Sequence, residues 1–364
     1  MSLSTGIVGL PNVGKSTLFN ALTRGRVAAA NYPFCTIEPN VAIVEVPDGR
    51  LQRLQALLQP EACISTAIQF TDIAGLVRGA SKGEGRGNQF LAEVRSADAL
   101  LHVVRCFADD SVSHVESTID PVRDADTVLT ELLLADLEIT ERNLPTLDKV
   151  VRSDPQSVRK MELAALQRVH AALTDGVSVR AANLGAEQLA TLRGYAFLTE
   201  KPIMLVANVA EEDVVDGGKS IDSLRHRYPG QRIVVVSTQI EAEISQLDPE
   251  EADAFLADMG LADSGVDQLV RAAYELLDLI TFYTLANDKL QAWQLPRGTT
   301  APVAAGGIHS DMESGFVRAE VTSADDLEEA GGQMSKLRSS GQLRAEGRDY
   351  AIRDGDVVTF LFKS

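Results

Sequence analysis

Gly9, Gly14, Lys15 and Ser16 stand at the spacing G-x-x-x-x-G-K-[ST] in the run Gly9-Leu10-Pro11-Asn12-Val13-Gly14-Lys15-Ser16. Residues of these types in this order hold the phosphates of a nucleoside triphosphate. The glycines let backbone N–H groups close on the phosphate, the lysine is a point charge on the β- and γ-phosphates, and the serine hydroxyl faces Mg²⁺. Asn12, Val13, Gly14, Lys15, Ser16 and the adjoining Thr17 are therefore the expected phosphate contacts.

Downstream, Asp72-Ile73-Ala74-Gly75 fits D-x-x-G, with Asp72 at the Mg²⁺ site through water and the Gly75 N–H on the γ-phosphate. Thr36, in Asn31-Tyr32-Pro33-Phe34-Cys35-Thr36, lies between the two motifs. There it is expected to reach Mg²⁺ only when the γ-phosphate is present, and the run Gly75, Gly79, Gly83, Gly85, Gly87 gives the backbone freedom such a switch needs. Ras-like GTPases place a glutamine after D-x-x-G to orient the attacking water, but this chain has Leu76. Either hydrolysis is slow or another group positions water. His114, on the polar loop Asp109 to His114, is the candidate, beside Lys15 and Gly75 in the catalytic set.

Asn208-Val209-Ala210-Glu211 occupies the place of the guanine-reading N-K-x-D. Asn208 can still meet a purine, but Val209 removes the lysine and Glu211 is one methylene longer than the aspartate that accepts the guanine N–H groups. A site built to match guanine loses several kcal/mol if its carboxylate is misplaced against buried donors, so this wording favours adenine. Ser237, ending the next apolar run, is expected to lend backbone to the base pocket.

These residues need a strand–loop–helix unit, because a helix N-terminus must aim its free N–H groups at phosphate. Gly6 to Gly9 reads as that strand and Ser16 to Leu22 as the helix. Further strand runs at Val41 to Val46, Ala67 to Asp72, Ala99 to Arg105, Ile203 to Asn208 and Ile233 to Ser237 predict a parallel sheet covered on both faces. Between them, Leu129 to Val151 and Val158 to Leu173 carry apolar residues at three- and four-residue steps, broken at Asp154-Pro155. This predicts an inserted antiparallel helical hairpin, either packing only on itself or serving as a partner-binding arm. From about Thr281 short strands (Leu290 to Trp293, Phe316 to Val321, Tyr350 to Ile352, Val357 to Phe362) and one helical pattern, Asp325 to Leu337, predict a small α+β domain.

The 364 residues suffice for two or three cores. A formal charge of -18, from 52 acidic against 34 basic residues, argues against loose charge-driven binding to nucleic acid or anionic membrane. The longest apolar run, near Ala97 to Val104, is too short to span a bilayer. Three scattered cysteines (Cys35, Cys63, Cys106) and the absence of room for a signal peptide before the first strand give a cytoplasmic expectation, with reduced thiols.

The motifs G-L-P-N-V-G-K-S, N-Y-P-F-C-T-I-E-P-N, D-I-A-G-L-V-x-G-A-S-x-G-E-G-x-G-N-Q-F-L and N-V-A-E together resemble the Obg-like ATPase (YchF) subfamily of P-loop GTPases, over nearly the whole chain. Thr299 to Val321 resembles that family's TGS domain, a ubiquitin-like β-grasp. The resemblance implies an α/β molecule: a Ras-like nucleotide domain at 1–127 and 198–279, an inserted coiled-coil arm at 128–197, and a TGS domain at 280–364. It further implies ATP preferred over GTP, slow hydrolysis with Mg²⁺, and ribosome association, with no membrane and no sequence-specific DNA as partner. On this resemblance Phe107 is the aromatic beside the base, His114 the catalytic histidine, and Asn12 a ligand for potassium, which would offset the missing glutamine. Cys35 falls in the family's switch pattern and reads as a packed thiol, with a redox role as the alternative. A GTPase of the same fold, or a nucleotide-gated binding module with incidental hydrolysis, are the alternative functions.

Overall fold

The computed structural model describes residues 3–23, 40–73, 75, 86–109, 112–114, 118–154 and 156–363. Thr36, Cys35, Leu76, Gly79, Gly83 and Gly85 lie outside the described residues. The described residues form twelve strands: β1 (Ser4–Val8), β2 (Val41–Glu45), β3 (Ala62–Ile64), β4 (Ala67–Asp72), β5 (Ala99–Arg105), β6 (Ile203–Asn208), β7 (Ile233–Val236), β8 (Leu279–Ala286), β9 (Lys289–Pro296), β10 (Phe316–Ser323), β11 (Arg344–Glu346) and β12 (Asp356–Phe362). Contacts group the chain into two units, one centred on Gln69–Leu269 with the N-terminal strand and helix, the other on Ile43–Ile68 and Val270–Ser364.

The first sheet runs β2-β4-β1-β5-β6-β7, and the β1–β4, β1–β5, β5–β6 and β6–β7 ladders are all parallel. Every residue of β5 is buried, as expected of a strand covered on both faces. All six strand runs expected of this sheet are present within two residues at each end. The order places the C-terminal ends of β1, β4, β5, β6 and β7 along one edge, where ligands of parallel α/β sheets bind.

The hairpin is built as its periodicity predicts, from Pro121–Ser153 and Lys160–Thr174. The first helix starts at Asp120, whose side chain accepts the Arg123 N–H, with Pro121 at the first helical position. Pro145 lies inside it at an exposed position, where a carbonyl that loses its helical partner stays within reach of solvent. Ile139 and Leu147 pack against Ala165, Leu166, Val169 and Leu173. Thr140 interrupts the apolar stripe yet sits in the seam, its hydroxyl 2.9 Å from His170 Nδ1 on the opposite helix. At the base of the hairpin the buried Asp136 carboxylate accepts the Leu198 N–H (2.9 Å), the Thr199 N–H (2.8 Å) and the Thr199 hydroxyl (2.8 Å).

In the second unit β8 and β9 form an antiparallel hairpin, β12 lies parallel to β8, and β10 runs antiparallel to β12. The order β11-β10-β12-β8-β9-β3 is that of a β-grasp with β3 added at one edge. Helix Ala301–Ile308 lays Ala301, Ala304 and Ala305 on Phe282, Phe316 and Phe360. The helix Gly49–Leu58 belongs to the same unit: Leu51 and Leu54 pack on Tyr283, Leu290 and Val357, and Arg50 pairs with Asp354 at 2.7 Å. The pattern at Asp325 to Leu337 proves to be two helices, Ala324–Glu329 and Met334–Ser340, parted by Gly331 and Gly332 at φ of 66° and 76°. Tyr350 to Ile352 makes only an isolated bridge, Ala351 to Thr300, rather than a strand.

Candidate functional site

The loop from Gly9 to Gly14 turns from β1 into helix Lys15–Thr23. Its backbone requires glycine at both ends. A Cβ on Gly9 (φ 152°) would fall 2.5 Å from the Val103 carbonyl oxygen, and one on Gly14 (φ 100°) would fall 2.3 Å from Asn208 Nδ2. Asn12 holds a left-handed φ of 61°, a conformation asparagine tolerates better than most residues. The loop thus leaves the N–H groups at the helix start free to face an anion.

Lys15 lies across this loop, nearly buried, with Nζ donating to the Leu10 carbonyl at 2.7 Å. Burial lowers its ammonium pKa to about 8, while the Asp72 carboxylate works in the opposite direction. Ser16 Oγ donates to Asp72 Oδ2 at 3.0 Å, so the two expected metal ligands converge. Burial raises the Asp72 carboxyl above its ordinary range, opposed by the Ser16 hydrogen bond and by Lys15. A hydroxyl and a partly desolvated carboxylate on one spot are a hard-oxygen pair of the kind Mg²⁺ takes. Gly75 completes the cluster: a side chain there would come within 3.1 Å of Lys15 Nζ.

Asn208 ends β6 and is buried at 1% exposure. Its Nδ2 donates to the Val13 carbonyl at 2.9 Å and its Oδ1 accepts the Thr238 N–H at 3.1 Å. One amide therefore ties the phosphate loop to the turn after β7 with one of its two N–H groups and one of its two lone pairs. Val209 is buried beside Val104, Ala207 and Ile221, whereas Glu211 opens a short turn at Glu211–Asp213 and is exposed. Ser237 Oγ is buried and has no hydrogen-bond partner among the described residues.

After β5 the chain loops past Phe107 to His114. Asn12 Nδ2 donates to the Ser113 carbonyl at 3.1 Å, and His114 Nε2 lies 2.8 Å from Asp124 Oδ2 in the first turn of the long helix. Both side chains are nearly buried, at 5% and 2% exposure, and Arg123 holds the second Asp124 oxygen at 2.8 Å.

The expected residues Asn12, Val13, Gly14, Lys15, Ser16, Asp72, Gly75, Asn208 and Ser237 thus meet at one edge of the sheet, with Phe107 and His114 on the loop beside it. Sequence reasoning missed Arg105, Ser113, Asp124 and Thr238. Only Arg105 carried a signal: a charge closing an otherwise apolar buried strand must find partners inside.

A parallel sheet with a phosphate loop after its first strand, followed by a lysine and a serine that meets an aspartate from a neighbouring strand, defines a P-loop nucleotide-binding protein. Residues 4–135 match a family profile described as a 50S ribosome-binding GTPase, and residues 279–363 match the profile YchF-GTPase_C, described as a protein of unknown function. The chain is 46% identical to the Ribosome-binding ATPase YchF of Bacillus subtilis (strain 168), with 100% of each covered. It is 45% identical to the protein of the same name from Escherichia coli O157:H7, over 100% of this chain and 99% of that one. Among solved structures, the Schizosaccharomyces pombe YchF GTPase superposes with a TM-score of 0.89 at 33% identity, over 99% of this chain and 98% of that chain. The chain belongs to the YchF family. Among the described residues no helix is long and apolar enough to cross a membrane.

Proposed function

We propose that this chain is a cytoplasmic ATP-binding and ATP-hydrolysing switch that associates with the ribosome. The observation that carries the base preference is the state of the 208–211 segment. Asn208 is engaged with Val13 and Thr238, Val209 is packed into the core, and Glu211 is exposed, so no fixed carboxylate waits for the donors of guanine. The bacterial relatives are named ribosome-binding ATPases, which supports both halves of the reading, whereas the yeast relative is named a GTPase.

Asn12 to Thr17 would cradle the phosphates, with Lys15 on the β- and γ-phosphates and the Gly75 N–H on the γ-phosphate. Ser16 and Asp72 would hold Mg²⁺, joined by Thr36 when the γ-phosphate is present; the ion neutralises charge on the phosphate oxygens. Asn12 would hold potassium through its amide oxygen. Phe107 and the backbone of Val209 and Ser237 would enclose the base, and His114 would position water. In this division of labour 1–127 with 198–279 binds nucleotide, 128–197 is the partner-binding arm, and 280–364 is the TGS domain.

Calorimetric titration of Mg²⁺-ATP and Mg²⁺-GTP in potassium buffer tests the base assignment. ATP binding at least tenfold tighter is expected; equal or tighter GTP binding would sink it. Co-sedimentation with ribosomes, with and without a non-hydrolysable ATP analogue, tests the partner, and a protein that stays in the supernatant in both cases refutes it.

A further inference from the structure

We propose that Arg105 is a positioning residue for nucleotide binding, setting the loop that runs from the base pocket to the phosphate loop. Arg105 closes β5, a strand with every residue buried, and is itself 1% exposed. A guanidinium at such depth must have its donors used, or its desolvation goes uncompensated. Here Nε donates to the Phe107 carbonyl at 3.2 Å, Nη2 to the Asp109 carbonyl at 3.0 Å and Nη1 to the Val112 carbonyl at 3.0 Å. The face of the same group lies over the Phe107 ring, Cζ being 4.6 Å from the centroid.

Three carbonyls of one loop and the plane of its aromatic ring are thus referred to a single rigid fork. The residue after Val112 is Ser113, bonded to Asn12 of the phosphate loop, and the next is His114, bonded to Asp124. Arg105 therefore fixes the orientation of Phe107, while the tie of Ser113 to the phosphate loop is made by Asn12 itself. Lysine could not do this, because one ammonium on a flexible stem cannot serve three divergent acceptors and present a flat face to a ring. The inference rests on the reading of Phe107 as the aromatic beside the base.

The test compares Arg105→Lys and Phe107→Leu for binding of Mg²⁺-ATP and of Mg²⁺-tripolyphosphate, which engages the phosphate loop but has no base. Each variant is expected to weaken ATP binding about tenfold, the size of one lost base stack, and to leave tripolyphosphate binding within about twofold. The double variant should bind ATP no more weakly than the worse single one, since both act through one contact. ATP binding weakened by Phe107→Leu but untouched by Arg105→Lys would overturn the positioning role and leave the base pocket standing. ATP binding untouched by either would overturn the Phe107 reading and this inference with it. Equal losses for ATP and tripolyphosphate in Arg105→Lys would reduce Arg105 to general support of the fold. Should Arg105→Lys not fold, the side-chain Nε–H resonance of Arg105 in the unmodified protein gives the answer. It should shift on adding Mg²⁺-ATP and not on adding Mg²⁺-tripolyphosphate, and a resonance indifferent to ATP would overturn the proposal.

Discussion

The His114 imidazole and the Asp124 carboxylate form a buried pair, Nε2 to Oδ2 2.8 Å, that joins the loop after β5 to the first turn of the hairpin's long helix. One residue earlier, Ser113 meets Asn12. The loop thus touches the phosphate loop on one side and the root of the arm on the other. In the reading of His114 as the water-positioning group, the Asp124 carboxylate orients the imidazole through Nε2 and leaves the chemistry to the other ring nitrogen. His114→Ala should lower turnover on the order of 10²-fold and change ATP affinity by less than about twofold, as for loss of a group acting in the transition state. Single-turnover hydrolysis measures this, and an unaltered rate would remove His114 from the chemistry.

Asn208→Ala removes the amide between Val13 and Thr238 and leaves a buried carbonyl and a buried N–H without partners. The loss should be about 2 kcal/mol or more in urea unfolding, with weaker ATP binding alongside. Stability equal to the parent protein would mean that water replaces the amide at no cost.

Gly14→Ala places a methyl where Asn208 Nδ2 lies 2.3 Å away, on a backbone at φ 100°. ATP binding should fall below detection by calorimetry. Gly176→Ala is the control: φ there is 75°, but the space is open, so only about 1 kcal/mol of stability should go and ATP binding should persist. Similar ATP affinities in both variants would show that the close approach of Asn208 is not what Gly14 provides.

Burial sets the Lys15 pKa at about 8 against an ordinary 10.5. Because the folded value lies below the unfolded one, the unfolded chain binds more protons between about pH 8 and 10.5, and this group adds stability to the free protein as pH rises through that window. On the proposed role of Lys15 at the phosphates the amine must be charged, so ATP affinity should fall as pH rises above about 8, with proton uptake on binding near that pH. Calorimetry in two buffers of different ionisation enthalpy measures the uptake; none at pH 8.5 would contradict the depressed value.

His102 is another buried base, held at about 3 by desolvation and by Lys15, with Nδ1 lacking a hydrogen-bond partner among the described residues. Its folded pKa also lies below the unfolded one, so it costs nothing above pH 6.5 and takes away stability as pH falls from about 6.5 toward 3. His102→Leu should flatten the acid limb of the stability profile in that window. An unchanged profile would assign the acid lability to other groups.

The phosphate loop, Asp72, the six strands of the first sheet and the two hairpin helices were legible in the sequence because each is a local pattern. A glycine spacing, a run of apolar β-formers or a stripe at helical period is dictated by the backbone geometry of its own segment. Adjacent motifs at strand ends then followed, since parallel strands present those ends along one edge. Tertiary structure alone decided the partners that come from elsewhere in the chain. Asn208 meets Val13 across 195 residues, Arg50 meets Asp354 across 304, and Asp136 caps a turn 62 residues on. No local pattern encodes such pairs, because any buried polar group only demands a partner and leaves open which one. For the same reason Arg105 announced a need in the sequence, and the fold supplied the three carbonyls that meet it.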